Sequence, residues 1–188
     1  MITLPSNPRD DGFNGFLIDL DHAISTDETV RQSIPERTGT FEFMSTDALE
    51  CLPGFRHTYY DDLQSFMWVF LWLIVEERPT CAAVNRWGTH NPLDASAIKA
   101  QQISSEAKFK HHFSGSFDKK LGQSAVQAAM GLRKVLWPVE RDDLDRKEVI
   151  TRLYEGVIKE FNMALEVAEG EAETLEKRLV APRNRMAN

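Results

Sequence analysis

The chain has 188 residues, 42% of them hydrophobic and 27% charged, with a net charge of -7. That length fits one domain, and the composition argues against wholesale disorder. The acidic balance and scattered basic residues give no support to a surface for nucleic acid or an anionic membrane. Cys51 and Cys81 make no CxxC pair, and His22, His57, His90, His111 and His112 make neither HxxxH nor HExxH. A disulfide framework and a zinc site are therefore set aside, and a reduced intracellular setting, cytoplasmic or nuclear, is expected.

In chain order, residues 1–14 read as a flexible lead-in with two prolines and neither the basic start nor the apolar core of a signal peptide. "GFLI", residues 15–18, is short, apolar and opened by a glycine, the pattern of a buried strand running up to Asp19. Residues 24–40 form a long polar loop of a length uncommon without a function. "FEFMSTDALECL" suggests a short helical turn, and "YYDDLQSFMWVFLWLIVEE" a central helix over about 61–77, apolar nearly all round. Its longest apolar run, residues 66–75, is half of what a bilayer crossing needs.

Residues 79–92 are a connection, and 93–113 read as one or two modest helices. A further helix from Ala125 carries Val126, Met130, Leu132 and Leu136 at helical spacing and closes at Pro138. The last element, 143–168, has Leu144, Ile150, Leu153, Val157, Phe161, Ala164, Leu165 and Ala168 on one stripe, with Asp142 or Asp143 as N-cap. Residues 169–188 read as a charged tail. The fold class is mainly α, with one or two short strands near the N-terminus.

Three motifs follow one another: "LIDLDHA" at 17–23, "GTFEFMSTD" at 39–47 and "YYDDLQSFMWVFLWL" at 59–73. Together they resemble the second half of a protein kinase domain, most closely the fungal-type protein kinase family. The resemblance implies a helical C-lobe over residues 15–168, without the N-lobe, and an activation segment over 19–47. Asp19-Leu20-Asp21 stands where kinases carry Asp-Phe-Gly, whose Asp holds Mg²⁺ on the nucleotide phosphates. Gly39 and Thr40 stand where the activation segment ends, and Asp47 where Ala-Pro-Glu closes it. Asp62 and Ser65 match an Asp-x-x-Ser pattern at the head of the central helix, where the family Asp caps the helix and bonds the catalytic loop. Asp21 departs from the motif glycine, Thr46 from the proline and Asp47 from the glutamate; Arg141 is the positional counterpart for an arginine that would pair with Asp47.

The resemblance also implies Mg-ATP as cofactor and a protein substrate, with no nucleic acid or membrane partner. Yet a Gly-rich loop, a strand lysine and a catalytic-loop Asp and Asn all precede the Asp-Phe-Gly motif in kinases. Here only 18 residues precede Asp19, and Arg9-Asp10 followed by Asn14 has the wrong spacing. The expectation is a C-lobe portion separated from its N-lobe half by truncation or degeneration, with no catalytic residue of its own and inactive alone. Two alternatives stand beside it: a pseudokinase remnant that binds another protein through its uncovered face, and an unrelated α-helical scaffold. Thr29, Ser33 and Thr38 are read as solvated loop hydroxyls.

Overall fold

A computed structural model describes residues 40–75, 81–89, 91–113, 115–117, 122–137, 139, 143–144 and 146–180, with side chains described as far as 170. The strand expected at 15–18, together with Asp19, Asp21 and Gly39, lies outside them. The described residues are mainly helical, as a C-lobe-like fold requires, and contain no strand. Val75 and Phe117 form an isolated antiparallel bridge. No helix of the described residues is long and apolar enough to cross a membrane.

Helix α1 (Thr46–Glu50) is the short turn expected after the long loop. Ser45 caps it through Oγ, which accepts from Ala48 N at 3.0 Å, and Cys51 ends it in the left-handed region at φ 46°. Helix α2 (Tyr59–Ile74) is the central one and starts two residues earlier than expected. Thr58 and Asp61 form a capping box that satisfies its first amides, and the two acidic residues of its first turn suit the positive end of the helix dipole. Tyr60, Gln64, Met67, Trp68, Leu71 and Ile74 recur at steps of three and four and are buried.

Helices α3 (Ala82–Asn85), α4 (Pro92–Ile103), α5 (Glu106–Phe113), α6 (Gly122–Leu136) and α7 (Lys147–Val180) follow, with a 3-10 turn at Arg86–Gly88. The segment 93–113 resolves into α4 and α5. Asn91 caps α4, with Pro92 at the first helical position where its missing N–H costs nothing. Ser104 and Ser105 break the run, and Ser105 Oγ accepts from Lys108 N to open α5. Trp68, Trp87, Phe109, Phe113, Leu132, Leu136 and Leu153 unite α2, the 3-10 turn, α5, α6 and α7 in one core.

Helix α6 packs on both α2 and α7. The α6–α7 crossing is close because glycines line it. A Cβ at Gly156 would meet Val135 at 2.8 Å, and one at Gly131 would strike the Glu160 carboxylate. The last helix differs from expectation at both ends. Asp143 and Leu144 sit in a turn closed by Arg146 N to Asp143 O, so the helix begins at Lys147. Beyond 168 the charged run is helical through Val180, because glutamate, alanine, leucine, lysine and arginine are all strong helix formers.

Candidate functional site

The polar core lies where the end of the long loop meets the heads of α1, α2 and α4. Thr40 opens it: its carbonyl accepts from Phe43 N at 2.8 Å and Met44 N at 3.2 Å, which folds 40–44 into a turn. The next residue, Ser45, is fully buried and donates from Oγ to Asp61 Oδ1 at 2.7 Å. The other oxygen of Asp61 accepts from Thr58 N at 2.9 Å and from Thr58 Oγ1 at 3.1 Å. Asp61 is thus a fully buried carboxylate with both oxygens bonded, the condition under which such a group is tolerated. One turn on, Gln64 Oε1 accepts from Thr46 N and Thr46 Oγ1, both at 3.4 Å. The heads of α1 and α2 are therefore joined through side chains.

From the other side, Lys99 of α4 reaches the same turn. Its Nζ donates to Met44 O at 2.7 Å and lies 3.5 Å from Phe41 O. It also stands 4.9 Å from the ring centre of Trp68 and 5.6 Å from that of Trp87, within cation–π range. Burial pushes the Lys99 ammonium down to about 7, and the charge of Glu42 opposes that shift. Gln102, one turn along, accepts from Trp87 Nε1 at 2.9 Å and donates to Ala83 O at 2.7 Å. Ser96 Oγ donates to Glu50 at 2.9 Å, a second tie between α4 and α1.

Of the residues singled out in the sequence, four fall on described positions. Thr40 is exposed at the start of the turn. Asp47 lies in the first turn of α1, half-buried, and its carbonyl accepts from Cys51 N at 2.8 Å. Ser65 is half-buried on α2. Asp62 is the correction: the capping role expected of it belongs to its neighbour. One residue of rotation on the helix turns Asp62 outward, 2.8 Å from His57 Nε2, with its side chain 72% exposed. Asp61 faces Ser45 instead. Arg141, the expected counterpart of Asp47, is outside the described residues, as are Asp19, Asp21 and Gly39.

Among the described residues no group of three His, Cys, Asp or Glu side chains stands ready to hold a metal ion. The described cluster is a clamp, chemically suited to fixing a loop end. Several of its members escaped the sequence reading, Asp61, Lys99 and Gln102 among them. Asp61 had a signal, the Thr-x-x-Asp spacing of a capping box at 58–61. Lys99 and Gln102 share the three- and four-residue spacing of Ala95, Ser96 and Ile103, all buried on α4. Polar side chains on a buried stripe were the available sign.

The family model described as fungal protein kinase matches residues 1–74, ending on the last residue of α2. Over those residues, about two fifths of its length, the chain is similar to that family. No curated protein and no solved structure matches the chain.

Proposed function

We propose that residues 15–168 are the C-lobe portion of a fungal-type protein kinase domain, which in complete form transfers the γ-phosphoryl group of ATP to serine or threonine. What carries this reading is the family match over residues 1–74, which spans "LIDLDHA", "GTFEFMSTD" and "YYDDLQS". Asp19 would hold Mg²⁺, which when bound with ATP neutralises charge on the phosphates. Asp21 follows it in the motif, and Gly39, Thr40 and Asp47 end the activation segment. The clamp supports this reading. A loop that must present a substrate needs a fixed end, and Asp61, Gln64 and Lys99 bind residues 41–46 to α2 and α4.

The 188-residue chain by itself is inactive on this proposal. Phosphoryl transfer is positioning and charge stabilisation, and the loop, lysine and catalytic Asp-Asn pair that provide them in kinases have no counterpart in residues 1–188. The purified chain is therefore expected to label no serine or threonine substrate with radioactive Mg-ATP. Labelling that disappears in Asp19→Ala would overturn the inactivity. A second reading, a pseudokinase lobe that serves as a protein-interaction module, is favoured by the exposed Phe66 and Leu73 on α2 and Ile158 and Leu165 on α7.

A further inference from the structure

We infer that the turn over residues 41–44 is a proton-coupled latch, closing over the Lys99 side chain and releasing it to water with uptake of a proton. The latch itself stands on the clamp geometry; its meaning for substrate presentation rests on the kinase-lobe reading. Lys99 has no exposed surface, and the turn covers its tip. Its Nζ is bound to Met44 O at 2.7 Å and lies 3.5 Å from Phe41 O, with the indoles of Trp68 and Trp87 on its other side. The outer side of the turn is open to solvent: Phe41 is 37% exposed, and Glu42 and Phe43 are half-buried. A single turn of chain therefore lies between a buried ammonium and water.

That turn can lift without unfolding the helices. Its backbone bonds, Phe43 N and Met44 N to Thr40 O, are internal and travel with it. Apart from Lys99, it rests on α2 through Phe43, whose ring stands edge-on to Trp72 at 5.9 Å. It rests on the 3-10 turn through Glu42, whose carboxylate lies beside Gly88, where a Cβ would come within 2.9 Å of it. Met44 packs its side chain with Leu49 and Ala95, so the swing is made by residues 41–43 and the Met44 peptide. From Ser45 onward the chain is fixed, Ser45 to Asp61 and Thr46 to Gln64. Helices α1 and α2 thus keep their places while the latch moves, the kind of local opening that costs less than global unfolding.

The charges around Lys99 set the direction of the coupling. Glu42 lies in the latch itself. Helix α1 brings Asp47 and Glu50, the latter held by Ser96 Oγ, and α2 brings Asp61, bonded by Ser45 and Thr58. Arg86 of the 3-10 turn is exposed, and α5 carries Glu106, Lys108, Lys110 and His111 on its solvent side. Among the described residues Glu42 is the one whose charge bears on Lys99, and burial outweighs it, lowering the ammonium to about 7. Lifting the latch returns the amine to water, where its ordinary value is 10.5. Between those two values opening takes up a proton, so falling pH favours the open form; below about 7 the closed form is protonated as well and the dependence ends. The open population is expected to grow about fivefold from pH 8 to pH 7. On the kinase-lobe reading, the end of the substrate-presenting loop is thereby loosened as an alkaline solution approaches neutrality.

Amide hydrogen exchange on the full chain tests the latch, with protection corrected for the intrinsic pH dependence of exchange. In the natural chain the Phe43 and Met44 amides are expected to exchange well ahead of those of Ala129 and Leu132 on α6. Their protection is expected to rise about fivefold from pH 7 to pH 8, and the rise to vanish in Lys99→Met. Exchange at 43 and 44 no faster than on α6 would mean that only global unfolding exposes them, and overturns the latch. Fast exchange with protection independent of pH overturns the proton coupling. A second readout in the natural chain holds even if the variant does not fold: the Lys99 Cε carbon resonance is expected to titrate near pH 7, and a midpoint near 10.5 sinks the proposal. No ATP enters either measurement, so a failed latch leaves the kinase-lobe reading standing, and labelling of a substrate by the chain would overturn its inactivity without touching the latch.

Discussion

Among the described residues, Lys99 departs furthest from the behaviour of its type. A lysine on an exposed helix face keeps its charge at any physiological pH, whereas burial takes this ammonium out of water and lowers its pKa to about 7, against the pull of Glu42. Its folded pKa of about 7 lies below the ordinary 10.5, so the unfolded chain binds more protons between those values. The contribution of Lys99 to stability is therefore flat below about pH 7, rises from there and levels off above 10.5. Thermal melts from pH 6.5 to 9.5 are expected to show this rise in the natural chain and to lose it in Lys99→Met. An equal slope in both would assign the titration elsewhere. The neighbouring acidic pair gives a second test at this scale. Removing the Asp61 carboxylate strands Ser45 and uncaps α2, so Asp61→Ala is expected to cost about 2–4 kcal/mol in urea denaturation. Asp62→Ala, which breaks an exposed contact with His57, is expected to cost no more than about 1 kcal/mol. Equal losses would refute the division of labour between the two.

Helices with a clear apolar period were legible in the sequence, and their ends were legible where a cap residue fixes them. Asn91-Pro92 marks the start of α4, and α6 carries its spaced apolar residues to Leu136, just before Pro138. The start of α7 was misplaced because Asp142 and Asp143 look like caps. Leu144 belongs to the core through a turn, and three residues are spent before the helix begins. The far end was misplaced for the opposite reason. A charged run resembles a solvated tail by composition, but its residues favour helix and continue the heptad spacing. The clamp was the least legible part. Thr58-x-x-Asp61 announces a cap, but nothing local says that Asp61 also meets Ser45, sixteen residues away. Nor does "AIKAQQI" say that its lysine points inward. Both facts follow from how α1, α2 and α4 meet, a tertiary matter that a local pattern does not encode.

At the scale of the molecule, the described core lies around α2, and α7 lays Tyr154 and Phe161 against its flank. Phe66, Phe70 and Phe161 pack together as a cluster whose outer edge stays exposed. An acidic chain tolerates such a face more readily than a neutral one, since a net charge of -7 keeps copies apart except where a complementary surface draws them together.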